Sequence, residues 1–356
     1  MNENYSNNKL NTSPYTNKIN SLLKPKINHN LPLVMDLFAG CGGLSLGFEA
    51  QGFLTVGYEI NRDACLSYSQ NLQGDCLNIK LTEYTELPNP QIIIGGVPCQ
   101  PFSVSGKQKG LNDTRDGFPI FISAVKRYQP KLFLIENVRG LFYRNKPYLE
   151  KIITQLRQLD YLIEVDLLNS VWYDTPQNRE RVFIVGHRGK FKFPQKINIK
   201  ISAGEALGDL AVFIPPESNF LTPSMDSYII KYEKASHCSR PRDLHLDQPA
   251  RTVTCRNLAG ATGDMQRIKL PDGRRRRLIP LEAARLQSFP DWFKFNGSEQ
   301  SVFNQIGNAV PPMLAYYLAK SCKDYFELNF FYDKNEIIAK NISITNQQSS
   351  QQLSLF

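Results

Sequence analysis

From about residue 32 to residue 188 the chain alternates short apolar runs with stretches that gather apolar residues on one helical face. "LPLVMDLF", "TVGYEI", "QIIIGGV", "KLFLIENV", "LIEVDLLNS" and "RVFIVGHR" read as strands. "LSLGFEAQ", "FPIFISAVKRYQ" and "YLEKIITQLRQLD" read as helices, the last with Leu149, Ile152, Ile153, Leu156 and Leu159 on one face. Strands that alternate with amphipathic helices must bury both sheet faces. The expectation is an α/β fold with a doubly wound, mostly parallel sheet. Such sheets bind ligands at the carboxyl ends of their strands.

The pattern fades after residue 188. Residues 210–275 are rich in Pro, Ser, Asp and Arg without clear periodicity, and read as a second, smaller domain of loops and short strands. Helical spacing returns with "PLEAARLQSF" and "PPMLAYYLAKSCKDYFEL". The organisation expected is a disordered lead-in over 1–30, an α/β domain over 31–209, the second domain over 210–275, returning helices over 276–328 and a tail over 329–356. The chain carries 42 Lys and Arg against 33 Asp and Glu, a formal charge of +9, which favours a polyanionic partner. No run approaches the ~18 apolar residues of a membrane span. Seven cysteines with no C-x-x-C suggest neither a zinc site nor a disulfide framework. No metal is expected, and a reducing, cytoplasmic setting fits.

Two strand ends carry chemistry. "DLFAGCGG" places Gly40, Gly42 and Gly43 where a first strand turns into a helix, letting backbone approach a ligand. Glu59 ends the next strand, 19 residues after Gly40, at a distance suited to a ribose diol. The spacing is G-x-G-G, so a dinucleotide is not the natural ligand. "GGVPCQPFS" ends another buried run on Cys99, held between Pro98 and Gln100. A lone cysteine is usually a small core residue. A cysteine at the ligand edge of a parallel sheet is instead a candidate nucleophile.

"DLFAGCGGLSLGFE", "GGVPCQPFS", "ENVRGL", "QNRERVFIVG" and "QIGNAVPP" occur in that order. Together they resemble the ordered motifs of the bacterial C5-cytosine DNA methyltransferases, over roughly residues 32 to 325. The resemblance implies an S-adenosylmethionine-dependent catalytic domain over 31–209, nucleoid-associated work on double-stranded DNA, and a target-recognition domain over 210–275. It implies that Cys99 adds to C6 of a flipped cytosine so that C5 can take a methyl group. Glu136, which closes "KLFLIENV", would then hydrogen-bond the base and supply a ring proton. Arg181 would face the base O2. Alternation places Arg179 on the same strand face, where it would support the site and a phosphate.

By the same transfer Phe38 stacks near the adenine, Glu59 binds the ribose, Ile60 packs on the adenine, Asp75 takes its amino group and Gly96 lines the pocket. Asn308 and Val310 bring the last helix back beside the first strand. Gln100 and Ser103 open a segment that closes over DNA in relatives. This chain has "TRDGFP" there, where many relatives have R-G-T-L-F. Thr252 and Val253 match the Thr–hydrophobic pair of the recognition domain. Arg256 and Asn257 have side chains suited to guanine and adenine edges. Arg274, Arg275, Arg276 and Arg277 read as phosphate contacts.

A tRNA cytosine methyltransferase, a nucleotide-dependent oxidoreductase and a non-catalytic DNA-binding module are the alternatives. The enzyme is expected to act as a monomer, with a restriction endonuclease as genetic partner. The terminal "QLSLF" after a Gln- and Ser-rich tether resembles peptides that dock on the bacterial DNA sliding clamp.

Overall fold

The computed structural model describes residues 13–98, 116–216, 218–235, 242–259 and 264–330. Contacts divide the chain into two units. One holds residues 24–168, 180–195 and 315 onward; the other holds the N-terminal residues to Leu23, together with 169–179 and 196–314.

The first unit is built on a seven-stranded sheet. Its strands are β1 (Val34–Leu37), β2 (Thr55–Glu59), β3 (Cys76–Asn78), β4 (Ile92–Gly96), β5 (Leu132–Val138), β6 (Leu162–Asn169) and β8 (Glu180–His187). The order across the sheet is β3-β2-β1-β4-β5-β8-β6. The β1–β2, β1–β4, β2–β3 and β4–β5 pairs are parallel and β5–β8 is antiparallel. Each strand read from an apolar run forms. The central strands are apolar throughout because helices cover both faces: Ile92, Ile93 and Ile94 of β4 are fully buried. The chain leaves β1 toward β2 on one side and reaches β4 on the other. That reversal opens a crevice at the carboxyl ends of β1 and β4, where such sheets hold ligands.

Helices α2 (Gly43–Ala50), α3 (Arg62–Asn71), α4 (Phe118–Tyr128), α5 (Arg139–Tyr143) and α6 (Lys146–Arg157) connect these strands. From Ala315 on, the long helix that follows "GNAVPP" crosses α2. A Cβ on Gly47 would lie 2.4 Å from the Ala315 backbone, so only glycine permits that approach.

The second unit corrects two expectations. Residues 14–22, placed in a disordered lead-in, form helix α1 (Pro14–Leu22). Ser13 caps it, Tyr15 and Ile19 are buried, and Lys18 pairs with Asp174 at 2.8 Å. Its polar residues hid these anchors. Within 210–275, read as loops and short strands, residues 223–235 form helix α8 (Pro223–Ala235). Its face is mostly polar and buries only Ile229, so apolar spacing could not reveal it. The short strands expected there do occur. Strand β9 (Ala250–Arg251) runs parallel to β7 (Gln177–Asn178), and β10 (Arg267–Lys269) runs antiparallel to β11 (Arg275–Arg277). Helices α7 (Ala203–Leu207), α9 (Cys255–Ala259), α10 (Pro280–Leu286) and α11 (Glu299–Asn308) complete this unit. No helix among the described residues is long and apolar enough to cross a membrane.

Candidate active site

The turn after β1 carries three left-handed residues in five, Phe38 (φ +62°), Gly40 (φ +56°) and Gly42 (φ +89°). A non-glycine residue at such a φ is unusual and marks an over-determined turn. The two glycines differ in purpose. A Cβ on Gly40 would meet nothing within 4 Å, so open space lies above it. A Cβ on Gly42 would lie 2.8 Å from the ring of Tyr68, so that glycine admits a packed aromatic rather than a ligand. Gly43 begins α2. Glu59, at the end of β2, accepts the Gly40 N–H at 2.8 Å and the Asn61 N–H at 2.7 Å. It ties the two strand ends together. Ile60 beside it is 65% exposed. Asp75, expected at a strand end, instead precedes β3; its carbonyl accepts the Gly57 N–H and the residue is exposed. An open glycine turn, a fixed carboxylate, an exposed isoleucine and a second exposed carboxylate fit a nucleoside with its ribose and base.

Two strands over, β4 ends at Gly96, whose Cβ would lie 3.6 Å from Glu136 Oε2. Glu136 pairs with Gly96 in the ladder and is buried, with Arg181 Nε 3.0 Å from its Oε1. The register explains the meeting. Glu136 stands opposite Phe183 on β8, and Arg181, two residues away, shares that face. Burial pulls the Arg181 guanidinium below its ordinary value, and Glu136 opposes that pull. The result is a carboxyl group and a guanidinium facing one another at the sheet's ligand edge.

Cys99, Gln100 and Ser103 lie outside the described residues. Their approaches are fixed. Asn137 donates to the Val97 carbonyl at 3.0 Å, and the Gly117 N–H donates to the Pro98 carbonyl at 3.0 Å. Asn137, the middle residue of "ENV", thus anchors the strand that leads into Pro98–Cys99, a role its position in the motif did not disclose. Burial raises the thiols of Cys41, to about 12, and of Cys76 and Cys322, so these three are poor thiolates at neutral pH.

In the second unit the expected DNA-facing residues divide. Arg179 does not share the strand of Arg181, because β7 ends at Asn178 and β8 begins at Glu180. It is buried and donates to the carbonyls of Val253 at 2.7 Å and Gly307 at 3.2 Å, so it braces the backbone around Val253. Val253 is fully buried. Its N–H donates to Gln177 Oε1, while the Gln177 amide donates to Leu286 O and to Gln287. The Thr252 hydroxyl is held on Asn178 O at 2.6 Å.

Asn257 is buried, its oxygen taking the Thr254 N–H and its amide the Thr252 carbonyl, so it staples a turn and cannot also read a base. Arg256 is exposed and lies 3.6 Å from Asp264. Arg276 is fully buried against Glu282 at 2.6 Å, and Arg275 is held by Asp243 and Asp226, which corrects their reading as free phosphate contacts. Three of the four, Arg275 to Arg277, alternate along β11, so they point to two faces and Arg276 turns inward. Arg274 is exposed beside Asp272, and Arg277 is half-buried with its Nε on Met265 Sδ. Asn308, exposed, ends α11, and Val310 is buried just beyond.

A family model described as C-5 cytosine-specific DNA methylase matches residues 33–324. The chain belongs to that family. It is an enzyme, a DNA (cytosine-5)-methyltransferase. The chain is 56% identical over 294 residues to the Type II methyltransferase M.AplI of Arthrospira platensis, covering 82% of this chain and 85% of that protein. It is 33% identical over 341 residues to the Type II methyltransferase M.NgoFVII of Neisseria gonorrhoeae, covering 85% and 89%. The fold matches the methyltransferase EhMeth of Entamoeba histolytica with a TM-score of 0.64 at 18% identity, covering 83% of this chain and 98% of that one. It matches DNMT2 of Spodoptera frugiperda with a TM-score of 0.63 at 19% identity, covering 82% and 99%.

Proposed function

We propose that this methyltransferase modifies a specific duplex sequence by covalent catalysis through Cys99, as a Type II modification enzyme like its named relatives. The observation that carries the reading is the Glu136–Arg181 pair beside Gly96, at the strand end that Val97 and Pro98 follow and that Cys99 succeeds in the sequence. The target carbon is buried in a base stack, so the cytosine must be flipped out to reach this edge. The Cys99 thiolate forms a bond to C6. Glu136 donates a proton to the ring nitrogen as electron density moves there, and Arg181 offsets negative charge at O2. C5 becomes nucleophilic and takes the methyl group. A base from solvent takes the C5 proton, the thiolate leaves C6, and the ring nitrogen returns its proton to Glu136, which restores the aromatic ring and the enzyme.

S-Adenosylmethionine, when bound, supplies the electrophilic methyl group. Phe38, Gly40, Glu59, Ile60 and Asp75 would hold its nucleoside, with Gly96 lining the path toward Cys99. Recognition falls to residues 210–275, with Arg256 as base reader and Arg274 and Arg277 as phosphate contacts. Thr252 stays with them as a backbone-held contact. The terminal "QLSLF" would dock on a sliding clamp and bring the enzyme to newly copied DNA.

Methyl transfer to unmethylated plasmid DNA and to tRNA, compared side by side, tests the substrate. Product in duplex DNA alone, mapped by bisulfite sequencing to one recurring sequence, is the expected result. Product in tRNA alone would overturn the reading.

A further inference from the structure

We propose that Glu49 is a positioning residue for the cofactor, gripping the loop that presents Asp75, and that the buried hydroxyls of Thr55, Tyr68 and Ser45 hold that grip in place from behind. This rests on the reading of Asp75 as an adenine contact.

Glu49 sits in the last turn of α2 and is fully buried. A buried carboxylate needs several donors to remain charged. Glu49 has three: the Gln73 N–H at 2.7 Å on Oε2, and the Gly74 N–H at 2.9 Å and Thr55 hydroxyl at 2.8 Å on Oε1. Gln73 and Gly74 are the two residues before Asp75. The loop can approach β2 only because residue 74 has no side chain, since a Cβ there would lie 1.6 Å from the Thr55 carbonyl. One side chain on α2 therefore sets where Asp75 emerges.

The chain continues inward. The Thr55 hydroxyl meets the Tyr68 hydroxyl, which meets the Ser45 hydroxyl at 3.1 Å, which meets Asp36 Oδ2 at 2.7 Å. All five residues are fully buried or nearly so. Thr55 donates to Glu49, Tyr68 donates to Ser45 and Ser45 donates to Asp36, so three buried hydroxyls tie the grip on the loop to a second buried acid on β1.

Burial raises both carboxyls, Asp36 to about 7 with Glu59 adding to the rise; the Ser45 hydroxyl and N–H oppose it at Asp36, as the Gln73, Gly74 and Thr55 donors do at Glu49. The charged and titratable groups around Asp36 are Glu59, Tyr68, Cys41 and Cys76, and none is a cation. Tyr68 also packs on Gly42 in the turn after β1 and on Gly57 in the middle of β2, since Cβ atoms there would lie 2.8 and 2.7 Å from its ring. The chain thus underlies the glycine turn as well as the Asp75 loop.

The test measures amide hydrogen exchange at residues 72–75 without cofactor, and S-adenosylmethionine affinity by calorimetry, in four variants. Glu49→Gln places a donor where both oxygens must accept. Tyr68→Phe removes one oxygen and breaks two links while keeping the ring. Asp75→Ala and the Glu49→Gln/Asp75→Ala double variant complete a cycle. Glu49→Gln should speed exchange at Gln73 and Gly74 and weaken cofactor binding ~10-fold, the scale of a lost hydrogen bond to a charged group. Tyr68→Phe should do the same to a smaller degree. The double variant should bind no more weakly than Asp75→Ala alone, because Glu49 acts through Asp75. Unchanged exchange in both Glu49→Gln and Tyr68→Phe, or additive losses in the double variant, would overturn the proposal. Wild-type protein that binds no S-adenosylmethionine, with the exchange result intact, would overturn the cofactor reading and leave the grip on the loop standing.

Discussion

Single residues carry the chemistry at the strand ends, and their settings predict their titration. Asp36 is held at about 7 by burial, against a usual carboxyl near 3.8. A group whose folded pKa is raised favours the folded state fully below its unfolded value, and that contribution disappears as pH rises through the folded value. Between about pH 4 and 7 the Asp36 contribution therefore falls by at most ~1.4 kcal/mol per pH unit. Asp36→Asn keeps an acceptor for the Ser45 hydroxyl and does not titrate. Urea unfolding at a series of pH values should show a flatter dependence over that window for the variant than for wild type. A parallel dependence in both would place the titration elsewhere. At the catalytic edge, Glu136→Gln should slow single-turnover methyl transfer by ~10² or more, because an amide can hold the base but is a poor proton donor. A rate equal to wild type with DNA binding intact would remove proton donation from Glu136.

At the scale of elements, the strand ends of the sheet were legible and the recognition segments were not. Apolar runs such as "QIIIGGV" and "KLFLIENV" can only be buried strands, and chemistry at their carboxyl ends follows from the topology. The roles of Asn137, Glu49 and Tyr68 were not legible, because each acts through a backbone group or hydroxyl that only the fold brings near. The four arginines at 274–277 show the opposite failure. Their charge suggested one solvated strip, but β11 alternates and carries Arg276 into the interior onto Glu282. Leu221, Ile229 and Met265 form a small apolar cluster here, and Arg267 and Arg276 are fully buried in ion pairs with Glu233, Asp243 and Glu282. Arg276→Ala leaves Glu282 buried without its cation and should destabilise the protein by roughly 3–5 kcal/mol. Arg274→Ala, at the surface, should change stability by no more than about 0.5 kcal/mol while weakening DNA binding and reducing its salt dependence. Thermal unfolding and binding titrations at two salt concentrations separate the two. Equal destabilisation by both would mean that the buried pair does not hold this segment.

At the scale of the molecule, one unit carries the sheet with its ligand edge and the other carries the segments assigned to DNA. Arg179 and Arg181 fall in different units although only Glu180 separates them. The motif "QNRER" therefore serves two purposes, bracing Val253 with one arginine and facing Glu136 with the other. Arg256→Ala should alter which sequences are methylated and leave S-adenosylmethionine affinity unchanged, read by bisulfite sequencing of plasmid DNA beside a calorimetric titration. The central claim is that Cys99 bonds to cytosine during methyl transfer. It is tested most directly with DNA amplified in 5-fluorodeoxycytidine triphosphate, long enough to contain every short recognition sequence. Fluorine at C5 cannot leave as a proton does, so the thiolate cannot be eliminated and the enzyme stays attached. With S-adenosylmethionine present, a covalent protein–DNA species should form, peptide mass spectrometry should place it on Cys99, and Cys99→Ala should form none. An adduct on another residue, or equal methylation of ordinary DNA by wild type and Cys99→Ala, would contradict the account.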